Sequence, residues 1–283
     1  MPVLSERPIA INALTLLESA LVVRRRDRIL APLERRLAAD MRRAFRAQRR
    51  ELLRRLDSAR PRGFVEAARP EEDWIQLMLP RIFPVAFDEA ALATLELFTR
   101  PLDAAMRQAL AEGSRVAIAD LHAEISFDLT NTRARTFLDG RAQRQLEFIN
   151  GTTKRNLSAI IADGVRAAKS YTAIAKEIRA YYPETAKKLN YRHIPDRATG
   201  IAVYELGAAF EQGNYDIASE MQSAGLTMEH AWLTVGDERV RPEHVGNEAA
   251  GWLPLNQAFP TGHMMPPTDG QCRCASLFRR APS

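Results

Sequence analysis

The side chains best suited to chemistry lie near the end of the chain, where two cysteines are separated by one residue. Cys272 and Cys274 follow two histidines, His244 and His263. Thiolate sulfur and imidazole nitrogen are donors that zinc prefers, and two of each would complete a tetrahedral structural site. A segment rich in loops and poor in apolar residues gains stability from a bound metal. The sequence therefore predicts a structural zinc site formed by these four residues.

Other interpretations of this segment stay open. A spacing of one residue between cysteines is weaker evidence for zinc than a spacing of two, and two buried reduced thiols beside ordinary loop histidines would explain it as well. The charged residues could instead form an ion-pair network that fixes the loops; these are Asp237, Arg239, Arg241 and Asp269. A disulfide across one residue would be strained, which indicates a chain made for a reducing compartment.

Familiar catalytic motifs do not occur in the sequence. It has no glycine-rich phosphate loop, no dinucleotide fingerprint, no GxSxG and no HExxH. A metal-dependent hydrolase that uses Asp237, His244, His263 and the cysteines is the alternative to a structural role, but no general base stands at a diagnostic spacing. A DNA-binding module is a third hypothesis, although no groove-reading motif is found.

Positive charge is concentrated at the N-terminal end. The 283 residues carry a net charge of +5, and arginine supplies most of the 40 basic side chains. Residues 1–60 hold far more arginines than acids, whereas the remainder is slightly acidic. Arginine suits phosphate and carboxylate partners, so this segment predicts contact with nucleic acid or an acidic protein surface, the alternative being a solvated helix face. The arginines predicted to make such contacts are Arg35, Arg36, Arg42, Arg43, Arg46, Arg49 and Arg50.

Hydrophobic periodicity predicts a mainly α protein with a small, loop-rich α+β module at its C-terminal end. The first helix spans about 14–56, with an apolar stripe expected in the core and Pro32 expected to kink or split it. Prolines and glycines favour a loop over 57–88, and further helical stretches follow, with breaks at Pro101, Gly113, Gly151 and Gly164. A helix over 197–223 and a short strand over 231–235 come before the final loops.

Four consecutive segments follow from these patterns. They are a basic helical arm (1–60), a proline-rich linker (61–88), a helical domain (89–190) and a C-terminal module (191–283). The apolar run over 9–23 is too short for a membrane span and contains Asn12 and Glu18. Its arginines follow the run, whereas a signal peptide places them first, so we expect a buried helix and no membrane partner.

A set of spaced residues in the last part of the chain resembles the pattern of a known family. The set is Trp232, Thr234, Asp237, Arg241 and His244, followed by Phe259, Pro266-Pro267 and Cys272-Arg273-Cys274. The preceding helix adds Arg197-Ala198, Ile201-Ala202 and Glu205, with Tyr204 where the family usually has threonine. Over roughly residues 120–280, the chain resembles the Mu F-like minor head proteins, which serve in head morphogenesis of tailed bacteriophages.

This resemblance implies a structural interaction protein of the virion rather than an enzyme. Such a protein would assemble in the bacterial host cytoplasm, lie inside the capsid near the portal, and bind the portal, major capsid or scaffold protein. It would also be placed to contact packaged double-stranded DNA non-specifically, because arginine–phosphate contacts carry no sequence information. The resemblance gives a structural role to Trp232, Thr234, Asp237, Arg241 and Arg273.

Overall fold

The fold is mainly helical, as predicted. A computed structural model describes residues 16–60, 70–184, 196–237, 240–268 and 272–282. The α-helices are α1 (Leu16–Ala59), α2 (Pro70–Asp73), α3 (Leu79–Ala93), α4 (Leu95–Asp120), α5 (Thr132–Leu138), α6 (Arg141–Arg166), α7 (Tyr171–Glu184), α8 (Arg197–Ser223) and α9 (Pro242–Ala249). A π-helical turn, Trp74–Met78, joins α2 to α3.

The apolar stripe predicted for the first helix is confirmed in α1. Its stripe residues at steps of three, four or seven are buried: Leu30, Leu33, Leu37, Met41, Phe45, Leu52 and Leu56. Pro32 lies inside α1 and does not split it. A proline removes one hydrogen bond, and we attribute the intact helix to the buried stripe that continues on both sides of it. The apolar run over 9–23 is helical from residue 16, and its earlier part lies outside the described residues.

The prediction of a loop over 57–88 is mostly wrong, because residues 57–59 end α1 and residues 70–88 are helical. Pro80 lies in the first turn of α3, where its missing N–H costs little. Trp74, Phe83 and Phe87 are buried, and this apolar packing outweighs the weak helix propensity of the prolines. The predicted loop residues 61–69 lie outside the described part of the chain.

Helices α4 and α6 likewise continue through their predicted breaks. Helix α4 includes Pro101 and Gly113, and α6 includes Gly151 and Gly164. A Cβ at Gly113 would lie 2.0 Å from the backbone oxygen of Phe210 in α8. This glycine therefore permits a close helix crossing rather than ending a helix, because only a residue without Cβ fits there.

The C-terminal part contains a small antiparallel sheet, as the predicted α+β module requires. Its strands are β1 (Met228–Leu233), β2 (Leu253–Pro254) and β3 (Ala275–Arg280), in the order β2-β1-β3. Trp232 of β1 pairs with Ser276 of β3. The strand predicted over 231–235 thus begins three residues earlier and ends two residues earlier than expected, and α9 occupies part of the expected loop.

Two compact units share the chain. The first contains Met1–Arg36, Ala104–Asp139 and Gly200–Ser283, and the second contains Leu37–Asp103 and Gly140–Thr199. Helices α1, α4 and α8 each contribute residues to both units. The four consecutive segments inferred from composition divide the chain differently and stay a prediction. Within the described ranges, every helix is too short or too polar to cross a membrane.

Candidate metal centre

The candidate metal centre is built by α9 and the residues that lead into β3. Pro242 occupies the first turn of α9, where its fixed φ favours helix initiation. His244 follows in that turn, and its backbone N–H donates to the Arg241 carbonyl at 3.0 Å. Cys272 and Cys274 directly precede β3, whose pairing with β1 fixes their position. Two local structures therefore present the imidazole and the two thiols.

The two sulfurs lie at distances from His244 Nδ1 that are close to those in a tetrahedral zinc site. His244 Nδ1 is 3.8 Å from Cys272 Sγ and 3.5 Å from Cys274 Sγ. Their potential ligand atoms all lie within 4.8 Å of one another, and all three residues are buried. Zinc bonds of about 2.3 Å to sulfur and about 2.0 Å to nitrogen at a tetrahedral angle separate those two atoms by about 3.5 Å. The donor set and its geometry therefore fit zinc.

Aromatic rings and a threonine hold the imidazole. The ring centroid of Trp232 is 5.4 Å from that of His244, and Phe259 packs edge-on against Trp232. Thr268 Oγ1 lies 2.9 Å from His244 Nε2. An outer partner on the second imidazole nitrogen fixes the orientation of a metal-binding histidine, so Nδ1 is directed at the sulfurs.

The Cys274 thiol favours its protonated form in this structure. A hydrogen bond with Cys272 and burial raise the pKa of Cys274. Two weaker influences oppose this and favour its thiolate: the Trp232 side chain and the positive charge of Arg26. A divalent cation would reverse the balance, because a coordinating thiol loses its proton.

Only part of the predicted four-residue set is assembled. His263 is exposed and is not in the group that brings together His244, Cys272 and Cys274. Its backbone carbonyl instead accepts a hydrogen bond from Phe259 N at 2.9 Å. Asp237 is also exposed and outside the group, so the hydrolase alternative gains no support. Of the predicted ion-pair network, Arg239 and Asp269 lie outside the described residues.

Comparison with models of known protein families gives a match over much of the chain. The family model for Phage Mu protein F like protein matches residues 102–277, more than half of the chain. The chain belongs to the phage Mu F-like family. No curated protein and no solved structure matches it. The match covers α8, β1, β2, the first residues of β3 and the cysteine pair, so this metal geometry lies within the Mu F-like region.

The motif residues of the Mu F-like region have visible structural contacts. Thr234 donates from its backbone N–H and its hydroxyl to the two carboxylate oxygens of Glu248, each at 2.9 Å. Trp232 is completely buried. Arg241 is the N-cap residue of α9, and Arg273 lies 4.0 Å from the Glu34 carboxylate of α1. The threonine and tryptophan thus fix β1 against α9 and its surroundings.

A buried ion pair that sequence reasoning missed supports the cysteine segment. Arg26 Nη1 donates to the backbone carbonyls of Arg273 at 3.0 Å and Cys274 at 2.9 Å. Arg26 Nε lies 3.4 Å from Glu211 Oε1, and Glu211 Oε2 accepts from Ser276 N at 3.0 Å. Burial raises the pKa of Glu211, and Arg26 opposes the rise. Arg26 precedes Leu30 on the apolar stripe of α1. This position on the buried face of the helix is the feature of the sequence that indicates burial of Arg26.

The seven arginines predicted to contact an acidic partner differ in exposure. Arg35, Arg36, Arg43, Arg46 and Arg50 are exposed. The other two make internal contacts within the second unit: Arg42 with Asp196 at 2.6 Å, and Arg49 with the Arg179 carbonyl at 3.1 Å. The exposed five are therefore the ones placed to meet a partner through their charged groups.

Proposed function

We propose that this Mu F-like chain is a minor head protein that serves phage head morphogenesis as a structural component of the virion. The family match carries the proposal. The buried α1 stripe and the internal contacts of the motif residues support a structural role, because these residues hold the fold together. We place the protein inside the capsid beside the portal, assembled in the bacterial cytoplasm with the portal, major capsid or scaffold protein as partners.

Imaging or cross-linking of assembled particles tests this placement. Cross-links from the chain to the portal protein, together with density beside the portal vertex, are the expected result. A chain distributed evenly over the shell contradicts the portal placement, and a chain missing from purified particles contradicts the virion role.

We further propose that the exposed arginines of α1 contact packaged double-stranded DNA without reading its sequence. The supporting observation is the exposure of Arg36, Arg46 and Arg50. Deleting residues 1–60 would remove buried core residues of α1, so substitutions test the contact better than truncation.

Glutamine at these three positions should weaken DNA binding. We expect the slope of log affinity against log salt to fall by about three, since each lost phosphate contact removes about 0.9 from it. The measurement is duplex binding of the full chain over a salt series. The matched control replaces Arg100, Arg115 and Arg166, which are exposed arginines on other helices. An equal fall in both variants would show a general charge effect and contradict a contact made by α1.

We also propose that His244, Cys272 and Cys274 hold a structural zinc ion. The distances of the two sulfurs from His244 Nδ1 and the grouping of all three ligand atoms within 4.8 Å of one another support this. Zinc would supply cross-linking between α9 and the segment before β3, and the chain's own residues would orient and shield it.

Metal analysis of the purified chain should give one zinc per molecule. Cys272→Ser should lose the metal and become less stable, because binding free energy at such a site is folding free energy. At a free zinc concentration a thousandfold above the dissociation constant, the metal contributes about 4 kcal/mol to the free energy of unfolding. His263→Ala is the control and should keep both metal and stability. The zinc site would be contradicted if the purified wild-type protein contained no metal and a chelator left its unfolding unchanged.

A further inference from the structure

A small cavity in the second unit has the composition of an anion site. Its volume is about 100 Å³, and its lining includes Arg42, Arg46, Tyr182, Asp196 and Arg197. This is room for a group of a few heavy atoms. Three arginines face one acid here, and two of the lining residues, Tyr182 and Arg197, have no part in the structural and DNA roles proposed above.

Arg197 is a largely buried cation without a carboxylate partner in the described chain. Its Nη1 donates to Thr153 Oγ1 at 2.7 Å and its Nη2 donates to the Ile149 carbonyl at 2.9 Å. Its guanidinium carbon lies 5.5 Å from the ring centroid of Phe45. These neutral contacts orient the guanidinium without balancing its charge. Burial lowers the pKa of Arg197, as expected when a cation is removed from water.

The acid in the lining is already engaged. Asp196 Oδ1 accepts from Thr199 N at 2.8 Å, and its Oδ2 accepts from Arg42 Nε at 2.6 Å. Burial acts to raise the pKa of Asp196, but these hydrogen bonds outweigh it and lower the pKa overall. Asp196 therefore compensates Arg42, which leaves the charges of Arg46 and Arg197 available to an anion.

The buried Tyr182 hydroxyl is a further group in the cavity lining that can bind an anion. It is 5% exposed, and its hydroxyl has no hydrogen-bond partner among the described residues. Burial raises the pKa of this hydroxyl, so it keeps its proton and can donate. A buried hydroxyl without a partner is costly, and it is explained if a ligand accepts from it.

We propose that this cavity binds a phosphate group, held by Arg46, Arg197 and the Tyr182 hydroxyl. Guanidinium and phenol donors from three separate segments match the several oxygens of a tetrahedral phosphate better than the two coplanar oxygens of a carboxylate. The phosphate belongs either to a DNA backbone or to a small molecule; the donor chemistry is the same for both. This proposal does not depend on the head role.

Thermal unfolding of the full chain in sodium phosphate, against sodium chloride and sodium acetate at equal ionic strength, tests the site. Phosphate should raise the melting temperature more than either control salt. Arg46→Gln should weaken phosphate binding about tenfold and Tyr182→Phe about fivefold, in line with one charged and one neutral hydrogen bond. Arg54→Gln, an exposed arginine on the same helix outside the cavity and outside the proposed DNA contact, should change it little.

Tyr182→Phe separates ligand binding from folding. Because the hydroxyl has no partner in the described chain, this variant should match wild-type stability in chloride and lose part of its gain only in phosphate. A second measurement compares binding of duplex DNA by wild type and Tyr182→Phe. Weaker duplex binding by the variant identifies a backbone phosphate, and unchanged duplex binding identifies a small-molecule phosphate. Equal stabilisation by acetate, no stabilisation by phosphate, or the same loss in Arg54→Gln would overturn the proposal.

Discussion

Arg26→Met should lower the free energy of unfolding by about 3–5 kcal/mol, the range expected when one partner of a buried ion pair is removed. The side chains of Arg26 and Glu211 are 6% and 1% exposed, so almost no water would replace the lost guanidinium. The substitution also removes donors from the carbonyls of Arg273 and Cys274. Chemical denaturation of the full chain, followed by the helical signal, measures the loss.

The free energy of unfolding that is lost in Arg26→Met should depend on pH. Burial already raises the pKa of Glu211, and removing Arg26 raises it further. A carboxyl whose pKa is raised by folding binds its proton more tightly in the folded protein, so it destabilises the fold most at high pH. The difference between Arg26→Met and wild type should therefore shrink as pH falls towards the raised pKa.

Two further variants make the test specific. Arg25→Met removes an exposed pair with Asp120 and should change stability by less than about 1 kcal/mol. Adding Glu211→Gln to Arg26→Met should recover part of the loss, because the buried charge without a partner disappears. Equal losses for Arg25→Met and Arg26→Met would contradict a buried ion pair.

Gly113→Ala should destabilise the protein by about 2–3 kcal/mol, although alanine is the better helix former. The new Cβ would lie 2.0 Å from the Phe210 carbonyl oxygen and 2.8 Å from its carbonyl carbon. Both atoms are backbone, so relief requires α4 and α8 to separate within the first unit. Gly213 faces the Leu110 carbonyl oxygen at 2.1 Å, and Gly213→Ala should have a similar effect.

Gly151→Ala is the matched control and should act in the opposite direction. Its Cβ would meet nothing closer than Arg155 Nη1 at 3.7 Å, so α6 should gain about 0.5–1 kcal/mol from the removal of glycine. Combining Gly113→Ala with Gly213→Ala should cost less than the sum, because one separation of the helices relieves both clashes. Denaturant unfolding of all four variants decides this; a stabilising Gly113→Ala would show that the helices do not cross closely there.

Several features followed from the sequence because they depend on local periodicity and residue type. The α1 stripe repeats at helical intervals, and its members are buried from Leu30 to Leu56. The cysteine and histidine types predicted a zinc-compatible donor set, and three of the four residues do converge.

Other features depend on how distant segments meet, and only the tertiary structure decided them. Gly113 was expected to break a helix, but it lies at a helix crossing whose partner is about 100 residues away in sequence. His263 resembles His244 by type, yet the path of the final loops leaves it exposed. Arg26 is one arginine among many in the sequence, and its burial against Glu211 requires α1, α8 and β3 to be assembled. Periodicity specifies which face of an element is buried, whereas the partner on that face is fixed by long-range packing.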